Sequence, residues 1–199
     1  MMTAKEYLGD INGGSLMPRE SQIIADLLSQ DLTKKQWNNK LVEENVLQRN
    51  TPNTSKRVAA MLCTRLKPLT REFWQALSEA DKNTATQLSL LSTLINSPIL
   101  ADFMHSVLVD AYRLYEEKLT NRHWDDFLEA RYVTLPDLDQ FSTGTLDRIR
   151  KNIMRVLSEA DYLESARSKK LQGVFVLPDV IRWAEKLNRA DLVKVMECK

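Results

Sequence analysis

Glycine is scarce in this chain, at five of 199 residues, and most of its punctuation consists of helix caps. Thr, Ser, Asn and Pro recur just ahead of apolar residues spaced i, i+3, i+4 and i+7, the spacing that gathers side chains on one face of an α-helix. This combination predicts an all-α, globular, multi-helix fold. Pro18 opens a helix over residues 18–30 with Ile23, Ile24, Leu27 and Leu28 as its apolar stripe, and Asn12-Gly13-Gly14-Ser15 ahead of it reads as a turn. Thr33 and Gln36 fit a capping box for a second helix that turns Trp37 and Leu41 inward. Pro52 forces a break around residues 49–53, and a third helix over 54–67 buries Val58, Met61, Leu62 and Leu66 before Pro68 ends it.

Further along, Thr70 caps a short helix carrying Phe73, Trp74 and Leu77, and a Leu-rich helix follows over 84–95. The longest candidate covers 98–119, with Phe103, Met104, Val107, Leu108, Ala111 and Leu114 at core spacing. Thr120 or Asn121 caps the next, which holds Trp124, Phe127 and Leu128. Residues 133–144, with Pro136 and Gly144, form a loop or domain boundary, dividing the chain into 1–135 and 136–199 unless the two form one unit. The second part begins with a helix over 145–160 that buries Leu146, Ile149, Ile153, Val156 and Leu157. Val174-Phe175-Val176-Leu177, β-branched and aromatic after Gly173, is extended or a short strand. Pro178 starts another helix, and a last one begins near Arg189.

An apolar share of 43% with 28% charged residues suits an ordinary globular chain rather than a disordered one. The longest apolar runs fall far short of the roughly twenty residues that span a bilayer, and the N-terminus lacks the apolar core of a signal peptide. The expected location is the cytoplasm. Cys63 and Cys198, 135 positions apart, read as free thiols.

No catalytic or metal constellation emerges, and no cofactor is expected. His105 and His123 lie on different helices, neither cysteine has a neighbouring ligand, and a zinc site needs about four at tight spacing. There is no Gly-x-Ser-x-Gly elbow, and Gly13-Gly14 lacks the spacing and Lys-Ser/Thr of a phosphate loop. Asp125, Asp126 and Glu129 carry the right ligand type for Mg²⁺, but acids near a helix N-terminus are more often a solvated face favoured by the dipole. Glu185-Lys186 lacks the Glu-x-Lys strand spacing of a nuclease.

Charge is distributed unevenly under a net charge of +1. Residues 45–71 hold six cations and no acid, residues 102–139 carry a balance of −5, and residues 140–199 return to +4. The first basic segment falls in a helix–break–helix outline over 33–66, the outline of a helix-turn-helix. Arg49, Asn53, Thr54, Ser55, Lys56 and Arg57 cluster at the expected start of its second helix. Cations there oppose the helix dipole, and an anion bound at that end would relieve the conflict. In the second segment Arg148, Lys151 and Arg155 form a stripe opposite Ile149 and Ile153. Arg167, Lys169 and Lys170 follow, just before the extended piece, in the order helix, basic loop, wing. All twelve are candidate contacts to nucleic-acid phosphates, and the competing reading is a solvated basic surface.

Several stretches together resemble the BrxA family of bacteriophage-exclusion (BREX) defence systems. They are Ile11-Asn12-Gly13-Gly14-Ser15-Leu16 running into Glu20-Ser21-Gln22-Ile23-Ile24-Ala25, then Glu44-Asn45-Val46-Leu47-Gln48-Arg49, Thr54-Ser55-Lys56-Arg57, and Ala160-Asp161-Tyr162-Leu163. The resemblance covers about residues 7–178. It implies an all-α fold, a small non-enzymatic defence component that works beside other subunits, and binding to double-stranded DNA. Where family members often carry Gly, this chain has Asp161. The alternatives are a protein–protein adaptor using the acidic middle, an RNA-binding helical protein and, more distantly, an enzyme. With no long heptad seam, a monomer is expected.

Overall fold

A computed structural model describes residues 2–198. Its helices are α1 (Ala4–Leu8), α2 (Pro18–Ser29), α3 (Lys34–Val42), α4 (Pro52–Leu66), α5 (Arg71–Glu79), α6 (Lys82–Asn96) and α7 (Pro98–Phe103). A π-helical turn, Met104–Leu108, joins α7 to α8 (Val109–Arg113). Then come α9 (Asn121–Thr134), α10 (Thr143–Glu159), α11 (Pro178–Lys186) and α12 (Asp191–Glu197). Two 3₁₀ turns, Ile11–Gly13 and Pro136–Gln140, complete the set.

Helix α6 is the hub, packing on α2, α4, α5, α7 and α11. Its residues 88–94 are buried on every side, as expected of a helix surrounded by others. Buried Ser92 and Thr93 remain compatible with that position because both hydroxyls donate back to the Ser89 carbonyl, at 2.8 Å each. Around α6, α2 lies along α5, and Phe103 meets Phe127 edge-on with centroids 5.2 Å apart. A single apolar core runs from Ala4 to Met196 and includes Leu146, Ile149, Ile153, Val156 and Leu157 of α10. Polar ties also cross from one part of the chain to the other. The Ala4 amide donates to Asp137 at 2.8 Å, Asn152 donates to the Ile11 carbonyl at 2.7 Å, and the Leu16 and Met17 amides donate to Glu159 at 2.7 and 3.1 Å.

The all-α expectation holds, the capping box anticipated at Thr33 is formed, and of the two caps considered for α9 the structure uses Thr120. Several local expectations need correction. Helix α4 begins at Pro52 under a Thr51 cap, not near Thr54, because proline suits the first helical position as well as ending what precedes it. Asp81, accepting from the Asn83 and Thr84 amides, starts α6 earlier than expected. The helix expected to reach 119 stops at Arg113: Tyr115 takes a left-handed φ of 54°, and the Glu116 amide returns to the Ala111 carbonyl. Leu114, read as core, is therefore 71% exposed.

Of the two alternatives for residues 173–177, the extended one holds and no strand forms. Among the described residues the only β pairings are isolated bridges, Lys118 with Lys170 and Leu163 with Leu171. The segment is held extended instead by Gln87, whose side chain donates to the Phe175 carbonyl and accepts from the Leu177 amide, at 2.8 and 2.9 Å. A winged-helix wing is thus absent from this region. At Asp161 the backbone has φ 62°, with the Tyr162 amide closing onto the Leu157 carbonyl at 2.8 Å. That conformation explains the preference for Gly there, and Asp is among the few residues that tolerate it.

Burial raises the pKa of the Tyr7, Tyr112 and Tyr162 hydroxyls and lifts the Cys198 thiol to about 12. These groups keep their protons in the folded chain at pH values where the unfolded chain has lost them. Stability is therefore fully present below pH about 8.5 and should fall as pH climbs through 10 and beyond. Thermal melts from pH 8 to 11 check this: Tm should drop progressively above pH about 9, and a flat profile would contradict the assignment.

Candidate nucleic-acid interface

The two basic segments, some ninety residues apart in sequence, border the same stretch of chain, residues 11–17. On one side α4 presents Lys56 and Arg57, both exposed, and the Arg57 Nη1 donates to the Gly13 carbonyl at 2.8 Å. On the other side, Arg148, Asn152, Arg155 and Glu159 share one face of α10, at i, i+4, i+7 and i+11. Asn152 and Glu159 bind residues 11–17 as described above, which sets Arg148 and Arg155 at the margin of that contact with their side chains exposed. No hydrogen bond or ion pair engages the head groups of Lys56, Arg148 or Arg155 among the described residues.

Residues 11–17 are held from beneath. Arg65, 1% exposed, donates to Asp10 Oδ2 at 2.6 Å and to the Ser15 and Leu16 carbonyls at 2.9 and 3.2 Å. Asp10 Oδ1 in turn accepts from Asn96 and Ser97, each at 2.8 Å. The exposed Asn12-Gly13 turn is thus built on a buried ion pair and flanked by cations on both sides.

Other sequence candidates occupy different places. Ser55 is fully buried and donates to the Leu41 carbonyl at 2.8 Å, tying α3 to α4, so it belongs to the core and offers nothing to a ligand. Asn53 and Thr54 occupy the first turn of α4, and Thr54 supplies its amide to the Thr51 cap. Lys56 and Arg57 stand one turn further in, and the dipole conflict expected of them is therefore weak. Arg49 pairs with Glu20 at 2.8 Å beside Met17. Lys151 pairs with Asp147 at 2.7 Å; hydrogen bonds from Lys151 and then Arg150 hold that carboxyl down at about 2. Lys169 and Lys170 lie apart from the α4 side, with Lys169 donating to Asn121 at 2.7 Å and Lys170 facing Glu117 at 3.6 Å. Burial, and then the charge of Arg150, lower the Lys169 pKa. Arg167 is exposed. The chain connecting α3 to α4 spans residues 43–51, longer than the roughly 3–4-residue turn of a helix-turn-helix.

Sequence reading missed the part played by residues 11–17, although Asn12-Gly13-Gly14 signalled a turn. Gly14 packs under the Met61 and Met17 side chains, a Cβ there lying 2.9 Å from the Met61 sulfur, which a rotation of that side chain would relieve. Among the described residues no three His, Cys, Asp or Glu side chains cluster as a metal site. No helix among the described residues is long and apolar enough to cross a membrane.

Comparison with known proteins agrees with this architecture. The chain is 33% identical over 195 residues to the BREX protein BrxA of Escherichia coli O9:H4 (strain HS), covering 98% of this chain and 92% of that one. It is 29% identical over 196 residues to the BREX protein BrxA of Paramagnetospirillum magneticum, covering 98% of each. A crystal structure of an uncharacterized protein from Magnetospirillum magneticum superposes with a TM-score of 0.84 at 27% identity, covering 98% of this chain and all of that one. Residues 5–188 match the BrxA family model, and the chain belongs to the BrxA family.

Proposed function

We propose that this chain is a non-enzymatic component of a BREX phage-defence system that binds double-stranded DNA in the cytoplasm. The observation that carries this reading is the placement of Lys56 and Arg57 on one side of residues 11–17, with Arg148 and Arg155 on the other. Three of these head groups have no partner among the described residues, and Arg57 spends only one donor on Gly13. Cations spaced across a surface and not neutralised from within suit successive phosphates of a backbone, whose contacts position a protein without reading sequence. Arg49 and Lys151, already paired with carboxylates, contribute less.

The non-enzymatic part rests on the thiols and on the use made of His123, whose Nδ1 accepts from the Thr120 amide at 2.9 Å as part of the α9 cap. Burial raises the pKa of both Cys63 and Cys198, which disfavours the reactive thiolate. The chain works as a monomer beside other BREX subunits. Its longest helix, α10, spends its apolar stripe on its own core and leaves no seam for a second copy.

A mobility-shift comparison of duplex DNA with single-stranded and duplex RNA, at roughly 50 and 200 mM salt, tests the reading. Duplex DNA should shift at the lower salt and bind at least tenfold more weakly at the higher. Preference for RNA would replace DNA with RNA as the partner, and no shift of any nucleic acid at low salt would overturn nucleic-acid binding.

A further inference from the structure

We propose that the groove between α3 and α4 is a docking site for an acidic amphipathic helix of a partner protein. The groove encloses about 670 Å³. Trp37, Leu41 and Ala60 contribute to its floor, Lys34, Lys56 and Lys67 stand along it, and no acidic side chain lines it. Ala60 is exposed and Trp37 half-buried, so apolar surface lies open beside three cations. A neighbouring depression of about 360 Å³ shares Lys34, Trp37 and Lys67 and extends the apolar surface past Leu32. The one carboxylate there, Asp31, is already paired with Arg71 at 2.6 Å.

Charge complementarity selects the occupant. A small ligand would need several polar groups converging on it, whereas here lysines stand beside an apolar floor. A nucleic-acid backbone would satisfy the lysines but leave most of that floor uncovered. A helix with apolar residues at i, i+3 or i+4, and i+7 fills the floor, and glutamates on its flanks meet the lysines. This inference does not depend on the DNA reading. Only Lys56 belongs to both surfaces, and the test leaves it unchanged.

The probe is a fluorescein-labelled peptide of about sixteen residues, with leucines at that spacing and glutamates between, titrated with the full-length chain by anisotropy. A scrambled peptide of the same composition and a version with lysine for glutamate serve as comparisons. The patterned acidic peptide should bind saturably, and both comparison peptides at least tenfold more weakly. Ala60→Glu should weaken binding by a similar factor while leaving Tm unchanged. Lys34→Glu combined with Lys67→Glu should shift preference toward the lysine peptide. No binding of the acidic peptide, equal binding of the scrambled one, or indifference to Ala60→Glu would overturn the proposal. Displacement of the peptide by a DNA or RNA oligonucleotide, with displacement lost in Ala60→Glu, would reassign the groove to nucleic acid.

Discussion

Replacing Arg65 with alanine should remove about 3–5 kcal/mol of folding stability, a large fraction of what a domain commonly possesses. The guanidinium is buried against Asp10 and two backbone carbonyls. Its loss would leave the Asp10 carboxylate with only Asn96 and Ser97 as neutral donors. A buried charge without its counter-charge is the costly state, whereas removing both charges together is milder. Urea unfolding should therefore show Arg65→Ala as more damaging than Asp10→Leu combined with Arg65→Met. A loss below about 1 kcal/mol in Arg65→Ala would show that this pair does not hold the structure together. The consequence extends to the surface, because the same guanidinium anchors residues 11–17 between the two basic flanks.

Gly9→Ala should be comparably disruptive at the same junction. Gly9 has φ 57°, a conformation that side chains rarely adopt. An added Cβ would overlap the Asn96 carbonyl oxygen and lie 2.6 Å from Ser97 Oγ and 2.8 Å from Ser97 Cα. Two of these obstacles are backbone atoms between α6 and α7, so relief requires moving helices rather than a side chain. Strained backbone and overpacking each cost about 1–3 kcal/mol. Together they should lower Tm by roughly 10 °C in a chain of this length. Gly173→Ala, with nothing within 4 Å of the new Cβ, is the control and should leave Tm nearly unchanged. Equal melting of the two variants would contradict the assignment of Gly9 as a close-contact position.

The elements that were legible beforehand are those whose signals are local. Thr33 with Gln36, Thr70, and the prolines at 18, 98 and 178 marked helix starts correctly because a cap or first-turn residue acts within four positions. Pro52 misled because it both ends the chain segment before it and begins α4. Helix ends without glycine were harder to read. Tyr115 turns the chain with a positive φ that nothing in its side chain announces, so the apolar spacing alone runs the helix past its end and puts Leu114 in the core. Val174-Phe175-Val176 has the composition of a strand, but its pairing partner is a side chain, Gln87, and not a second strand.

Within the candidate site, the excess of cations was visible and the way they divide was not. Charge counting treats Lys169 and Arg148 alike, yet one is tied to Asn121 while the other stands free at the margin of residues 11–17. Ser55 looked like a phosphate ligand because hydroxyls at a helix start often serve as one. Its burial against Leu41 follows from its place on the face of α4 that carries Val58 and Leu62, three and seven positions on, so the apolar stripe of the helix points to the core for Ser55 as well.

The central claim, that one DNA backbone engages both flanks of residues 11–17, is tested most directly by the salt dependence of duplex affinity in two double variants. Four phosphate contacts predict a slope of log K against log salt near −3.6 for the unaltered chain. Lys56→Ala with Arg57→Ala, and separately Arg148→Ala with Arg155→Ala, should each bring the slope to about −1.8 and weaken binding to all duplex sequences alike. A slope unchanged in both variants would contradict the account, and a change confined to one pair would place the DNA on that flank alone.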